Sequence, residues 1–300
     1  MNAKPIETRN FTWSFTYIFT KNINNVDNLE GSQDQHPLIN GITTGSSVVE
    51  ERAVVGKTAA SIYGTTAALT PSGQVIADPV TGLPQQNEVA LDKLGNPNRY
   101  FGSGLYTYTM GLSNTFTYKN FQLSASLDFR QGGVMYSSTA DLVLFDGNGV
   151  ATTYNDRKPF IIPNSVVVVS GGGGHAVYAP NKTYIGNTSP YNGETDDTYA
   201  YYYTGQSPTS VGMRIFDRSF LKLRDINLSY FLPTGVAKKI RANSLSIGAY
   251  GRNFLLWTPN SNKYVDPEAT NFGNDLAGQL GEFSTEPLSK QYGVILKAIF

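Results

Sequence analysis

The chain has 300 residues, 23 basic against 23 acidic, and no cysteine. Balanced charge leaves no basic surface to attract nucleic acid, and the absence of cysteine removes disulfides, zinc–thiolate centres and cysteine nucleophiles together. Only 15% of residues are charged while 12% are aromatic, with 19 Tyr, 16 Phe and 30 Gly. This composition suits strands and loops, and no run of ~18 apolar residues offers a transmembrane helix.

The first predicted element is a strand near 10–20. Phe11, Trp13, Phe15, Tyr17 and Phe19 share one face, against Thr12, Ser14, Thr16 and Thr20, with Ile18 alone breaking the polar side. Such alternation is the side-chain period of a strand. The pattern returns over 104–118, where Tyr106, Tyr108, Met110, Leu112, Phe116 and Tyr118 oppose a row of Thr and Ser. Lys119-Asn120 makes a tight turn, and 121–133 follows with Phe121, Leu123, Ala125, Leu127 and Phe129 against Gln122, Ser124, Ser126, Asp128 and Arg130. The two runs read as a long hairpin.

A fourth strand is predicted over 214–232. Its phase slips, with Leu221 and Leu223 on one parity and Ile226, Leu228 and Tyr230 on the other, so a bulge is expected near Arg224-Asp225. A short basic link leads to a strand over 243–257 bearing Leu245, Ile247, Ala249, Leu255 and Trp257 on one face. The last strand, 289–300, alternates Tyr292, Val294, Leu296, Ala298 and Phe300. These runs exceed the ~5–6 residues of ordinary strands and match the ~9–11 that cross a bilayer. The links are unequal, with short turns near 119 and 234–242 and long loops over 21–103, 134–213 and 258–288. That asymmetry fits the periplasmic and extracellular ends of an outer-membrane barrel.

Catalytic signatures are incomplete. Val55-Gly56-Lys57-Thr58 resembles the end of a phosphate loop, but Glu51 stands where the motif needs glycine. Gly171 to Gly174 reads as a loop tip, and Asp146-Gly-Asn-Gly149 lacks the later acid of a calcium loop. His36 and His175 are the only histidines and lie far apart. The expectation is therefore no enzyme, no cofactor and no metal. Tyr199, Tyr201, Tyr202 and Tyr203 sit beside Glu194, Asp196 and Asp197, and read as a sugar-contacting surface, as loop packing or as an interfacial aromatic belt.

Three segments carry a resemblance. They are SFLKLRDINLSYFLP (219–233), SLSIGAYGRNFLLWT leading to KYVDPE (244–268), and the closing QYGVILKAIF (291–300). In this order they resemble the C-terminal region of SusC/RagA-type TonB-dependent outer-membrane transporters, and 96–133 is similar to an earlier part of the same barrels. The resemblance implies a barrel of about 22 strands with a plugged lumen, importing oligosaccharides or peptides across the outer membrane of a Gram-negative, Bacteroidota-like bacterium. It implies a SusD-like surface lipoprotein over the outer mouth, energy from the TonB complex, and folding by the barrel-assembly machinery.

On that reading the fold class is all-β, a partial antiparallel transmembrane β-barrel with long extracellular loops, and residues 1–300 are the C-terminal part of a longer receptor. An export signal, a plug and a TonB-contact segment would precede Met1. Phe121, Leu123, Leu127, Leu245, Ile247, Val294 and Leu296 would face lipid. Asp128, Arg130 and Arg252 would face the lumen, Tyr292 and Phe300 would form the assembly signal, and Tyr199, Tyr201, Tyr202, Tyr203 and Tyr264 would belong to loops at the substrate or partner mouth. The rival is a soluble or secreted all-β glycan-binding or adhesin module, with the same oily faces turned toward a second sheet.

Overall fold

The computed structural model describes residues 1–44, 47–86, 99–171, 175–186, 198, 202–203, 207, 210–271 and 277–300. In chain order the strands are β1 (Asn2–Glu7), β2 (Phe11–Lys21), β3 (Gln35–Thr44), β4 (Ser47–Val54), β5 (Ser61–Gly64), β6 (Val75–Ile76), β7 (Arg99–Ser103), β8 (Tyr108–Tyr118) and β9 (Phe121–Gln131). There follow β10 (Val134–Ser137), β11 (Ser165–Ser170), β12 (Val177–Pro180), β13 (Ile215–Asp217), β14 (Phe220–Phe231), β15 (Ser244–Trp257), β16 (Gly281–Glu282) and β17 (Gln291–Ile299). One sheet dominates, with seven antiparallel strands in the order β1-β2-β8-β9-β14-β15-β17.

The register puts each strand's oily parity on the same side. Phe11, Tyr118, Phe121, Tyr230, Ile247 and Leu296 lie opposite one another across six strands. The next row on that face is Trp13, Phe116, Leu123, Leu228, Ala249 and Val294. The phase slip in β14 is resolved as expected. Pairing shifts between Leu223 and Asp225, so Arg224 is an extra residue and Leu221 and Leu223 join the face of Ile226, Leu228 and Tyr230. The opposite stretch of β15 also jumps, from Leu255 to Arg252, and Asn253 there has a positive φ of 53°. Both bulges keep the apolar parity continuous while letting Arg224 and Asp225 coexist on the other face.

Hydrophobic burial runs opposite to that of a soluble sheet. Among the described residues, the seven strands contribute only Phe220 to the buried apolar set, and Phe220 lies on the polar side, opposite Arg130. The alternating apolar rows are exposed or half-buried, reaching 80% at Tyr292 and 73% at Val294. The protein's cores lie in the long connections. Val49, Ile62, Tyr136, Val211 and Leu280 form one, Leu83, Phe160, Ile162 and Ile185 a second, and Met135, Ala140 and Phe216 a third.

Several boundaries differ from the sequence expectation. β1 was not anticipated; Pro5 and the charges of Lys4 and Glu7 hide its strand character, and it is an edge strand where proline is tolerated. The expected strand over 214–232 is divided. Arg214 closes a short helix (Ser210–Arg214), β13 pairs with β10, and the Asp217 carboxylate accepts the Ser219 N–H at 2.8 Å before β14 begins. Tyr106 falls outside β8, where its ring meets Phe220 edge-on at 6.1 Å.

The long connections also hold a four-stranded sheet, β3-β4-β5-β7, and two three-stranded sheets, β13-β10-β16 and β12-β11-β6. A helix (Ser138–Phe145) is capped by Ser137, whose side chain accepts the Ala140 N–H. The buried Glu282 carboxylate accepts from Ser137 and, at 2.8 Å, from the Thr139 N–H. Losing one such cap costs about 1 kcal/mol, so Ser137→Ala is expected to speed amide exchange in 139–142 roughly fivefold.

All three short links sit at one end of the large sheet. The Lys119 N–H donates to the Asn10 carbonyl, and the Asn120 side chain donates to the Phe231 carbonyl at 2.7 Å. The long connections leave from the other end, and there they meet the charged residues of the polar face.

Candidate functional site

Near the long-connection end, the polar face carries Asp128 and Arg130 from β9 and Lys222 and Arg224 from β14. A turn at 262–268 lies over them. Its shape is local. The Asn262 side-chain oxygen accepts the Val265 N–H at 3.2 Å, and that of Asp266 accepts the Glu268 N–H at 3.0 Å. These are Asx turns, with Pro267 between the two acids. Arg218 then pins the turn from beneath. Its guanidinium donates to the Pro267 carbonyl at 3.0 Å and the Gly104 carbonyl at 2.8 Å, and it lies 4.9 Å from the centre of the Tyr106 ring.

The turn delivers Asp266 and Glu268 to three cations. The Lys222 ammonium, only 1% exposed, donates to Asp266 at 2.7 Å and to Glu268 at 2.6 Å. Arg224 bonds both Asp128 and Glu268, and Arg130 lies 2.9 Å from Glu268 and 3.3 Å from Asp128. Three positive and three negative groups thus compensate one another in a mostly buried cluster. Burial pushes the Glu268 carboxyl up. Hydrogen bonds from Arg224 and Lys222 and the charges of Lys222 and Arg130 outweigh that, and hold it at about 2.

Two clefts flank this turn. The larger, about 750 Å³, runs between the end of β15 and the turn, with Leu256, Asn262, Tyr264, Val265 and Leu288 in its walls. The smaller, about 450 Å³, is lined by Arg224 and Glu268. Ala269, Thr285, Glu286 and Leu288 belong to both. The larger recess is lined by both apolar and charged side chains, and the smaller reaches the ion cluster through Arg224 and Glu268.

The sequence-predicted residues separate cleanly by face. Phe121, Leu123, Leu127, Leu245, Ile247, Val294 and Leu296 all lie on the apolar side by register. Asp128, Arg130 and Arg252 lie on the polar side, but only the first two enter the ion cluster. Arg252 is paired across strands with Asp225 and sits 5.6 Å from the Tyr250 ring. Tyr292 is on the exposed edge strand β17, with Phe300 just beyond it. Tyr199 and Tyr201 lie outside the described residues. Tyr203 is 5% exposed, and Tyr202 packs edge-on against Phe160, so this pair is part of a loop interior. Tyr264 packs its ring 5.9 Å from Phe216 while lining the larger cleft.

Gly56 and Lys57 close a tight turn, the Lys57 N–H donating to the Val54 carbonyl at 2.9 Å. Lys222, Arg224, Asp266 and Glu268 were not singled out from the sequence. Their signal is the run Lys222-Leu-Arg-Asp225 facing a later Asp-Pro-Glu, legible only once the bulge is placed.

No family model matches the chain. Curated relatives do. The TonB-dependent receptor P26 of Formosa agariphila is 23% identical over 295 residues, 94% of this chain and 26% of that protein. SusC of Bacteroides thetaiotaomicron, also a TonB-dependent receptor, is 32% identical over 137 residues, 42% of this chain and 13% of that protein. A solved structure, that of the RagAB peptide transporter, superposes with a TM-score of 0.58 at 19% identity, covering 98% of this chain and 28% of the other. The chain resembles the barrel portion of SusC/RagA-type TonB-dependent receptors. It spans about a quarter of the length of P26. SusC/RagA-type relatives are receptors and transporters, not enzymes, and the mostly β fold seen here, with its seven-stranded antiparallel sheet, is similar to part of the barrel in the RagAB structure.

Proposed function

We propose that this chain forms part of the wall of an outer-membrane barrel that imports a nutrient, an oligosaccharide or a peptide, by TonB-dependent transport. The observation that carries the reading is the inverted burial of the seven-stranded sheet. Its aliphatic and aromatic face meets no protein layer among the described residues, while its polar face holds an ion cluster and a folded loop. A glycan-binding sandwich would cover that apolar face with a second sheet.

On this reading Phe121, Leu123, Leu127, Leu245, Ile247, Val294 and Leu296 meet lipid, and Asp128, Arg130 and Arg252 meet the lumen. The short links are periplasmic and the long connections face outward. A sheet open at β1 and β17 leaves backbone groups unpaired, each costing several kcal/mol in hydrocarbon, so further strands complete the barrel. A SusD-like lipoprotein covers its mouth, the TonB complex energises it, and the assembly machinery recognises Tyr292 and Phe300 on and just beyond β17.

This chain contributes no thiol of its own, which favours a labelling test in a receptor cleared of any other cysteine. Single cysteines placed through 122–127 of the complete receptor in vesicles should react with a membrane-impermeant maleimide at 122, 124 and 126 and resist it at 123, 125 and 127. Labelling without that period of two would remove the barrel reading. Uptake by intact cells of labelled oligosaccharides and peptides should fall to background when the receptor is deleted or a protonophore is added; persistence of both would remove the transport reading.

A further inference from the structure

The three short links of the large sheet, 8–10, 119–120 and 232–243, carry five basic residues, Arg9, Lys119, Lys238, Lys239 and Arg241, and no acidic one, in a chain whose charges balance overall. All five are exposed, and none has an ion-pair partner among the described residues. The negative groups at this end are Glu7, which lies 3.9 Å from Lys4, and the terminal carboxylate of Phe300, next to the paired Ser244 and Ile299. At the other end of the sheet, by contrast, Lys222, Arg224 and Arg130 are held by Asp128, Asp266 and Glu268. Uncompensated positive charge therefore lines the short-link end. Apolar side chains accompany it. The Lys119 ammonium lies 5.5 Å from the centre of the Tyr118 ring, and Tyr118 belongs to the row of Phe11, Phe121 and Tyr230 that closes the oily face. A short helix (Thr234–Lys239) buries Ala237 but leaves Val236 and Ile240 exposed, at 41% and 48%. Residues 236, 239 and 240 are spaced to share one side of a helical turn, which sets the Lys239 ammonium between two exposed aliphatic side chains.

We propose that this rim binds the headgroups of anionic phospholipids in the leaflet that meets the short links. The inference rests on the barrel reading, which turns the oily face toward hydrocarbon. At the limit of that face, Lys and Arg stems lie along apolar surface while their charged heads reach the phosphate plane. Val236 and Ile240 continue the apolar surface beyond the strands, as side chains that dip into the headgroup boundary do. A phosphatidylglycerol headgroup offers the net negative charge that this end lacks, whereas a phosphatidylcholine headgroup is neutral overall. Each Lys or Arg close to an anionic surface strengthens association about fivefold. The attraction decays over about 8–10 Å at ordinary salt, so the residues of the links themselves dominate it.

The test uses the complete receptor that contains this chain, cleared of other cysteines and reconstituted in phosphatidylcholine vesicles. Gly235→Cys carries a bimane label; a Cβ there meets no atom within 4 Å. The probes are nitroxide-labelled phosphatidylglycerol and nitroxide-labelled phosphatidylcholine with the same acyl chains, added at equal mole fraction as quenchers. Quenching should report a local concentration of the phosphatidylglycerol several times that of the phosphatidylcholine. Lys238→Gln, Lys239→Gln and Arg241→Gln together should bring that ratio close to one, and so should about 0.5 M salt. Lys238→Arg, Lys239→Arg and Arg241→Lys together, which keep the charge, should preserve it. Lys158→Gln, in a long connection, should leave it unchanged. Equal quenching by the two lipids, or a preference for phosphatidylglycerol that survives the three glutamines, overturns the proposal. Loss of import in the glutamine variant with the lipid ratio unmoved overturns it too, and assigns the rim to a soluble acidic protein instead. Quenching by neither lipid marks failure of the barrel reading itself, which loss of the alternating maleimide pattern reports independently, so the two failures are distinguishable.

Discussion

Leu123→Arg in the complete receptor is expected to destabilise the folded, membrane-inserted state by about 1–3 kcal/mol, between the rim and midplane penalties, while Ser124→Arg, one residue on, changes it by less than about 1 kcal/mol. The argument is one of depth as well as of face. Along β9 the apolar parity runs from Phe121, beside the short turn, to Phe129, beside the long connections. That is about 27 Å of strand at ~3.4 Å per residue, or roughly 20 Å across the bilayer at the usual barrel tilt, close to the ~25 Å apolar band of such proteins. Aromatic residues gather at both limits. Phe11, Tyr118, Phe121 and Tyr230 align at the turn end, and Phe19, Phe129 and Trp257 align at the other. Leu123 lies within the band and Phe121 at its rim, so Phe121→Arg should cost only about 0–1 kcal/mol because the guanidinium reaches the interface. Urea titration of the refolded receptor in lipid vesicles measures all three. A protein core would punish Phe121→Arg and Leu123→Arg alike, since both would bury an unpaired charge. Equal penalties at 121 and 123 would therefore place these side chains against protein and end the membrane reading.

The large sheet was legible because its rule is local. A period of two over eleven residues in β8 and β9 gives strand, face and turn without knowledge of any distant residue. Even the β14 bulge was visible as a change of parity, because an apolar face that must remain continuous leaves no other way to reconcile Leu223 with Ile226. The loop interior was illegible for the converse reason. β4 reads as SVVEERAV, and nothing local says that Glu50, Glu51 and Arg52 are buried within the four-stranded sheet. At Tyr202 and Tyr203 the sequence left surface and loop packing both open, and only the arrival of Phe160 beside Tyr202 from elsewhere in the chain decides for packing. In the ion cluster the partners are 44 residues apart for Lys222 and Asp266 and 96 for Arg224 and Asp128. KYVDPE was recognisable as a family segment, but its chemistry is set by side chains on strands that the sequence only brings near it after folding.

Removing the Glu268 carboxylate should release the turn it anchors. Glu268→Ala leaves Lys222, Arg224 and Arg130 facing only Asp128 and Asp266, an excess positive charge around an ammonium that is almost fully buried. Breaking a buried pair by deleting one partner costs about 3–5 kcal/mol, and the residual exposure of Glu268 places this site at the lower end, about 3 kcal/mol. The exposed Lys263 within the turn reports it, because native-state trypsin cleavage there tracks the opened population when opening and closing are fast; cleavage should accelerate by roughly a hundredfold. Lys222→Met should act similarly from the opposite sign of charge. The double variant Lys222→Met with Glu268→Leu should recover most of the loss, because the desolvation cost disappears with both charges. Acid should reproduce the effect. The folded carboxyl titrates at about 2 against an ordinary value of 4.5, so the turn binds fewer protons folded than unfolded between those values. Its stabilisation is complete above about pH 5, declines as pH falls below 4.5, and is gone near 2. Hydrogen exchange across 263–268 should follow that descent in the wild-type receptor and lose it in Glu268→Gln. A turn whose exchange is indifferent to Glu268 at pH 7, and whose wild-type profile is flat from pH 6 to 3, would mean that Arg218 and the Asx turns hold it unaided and that the ion cluster contributes nothing to its closure.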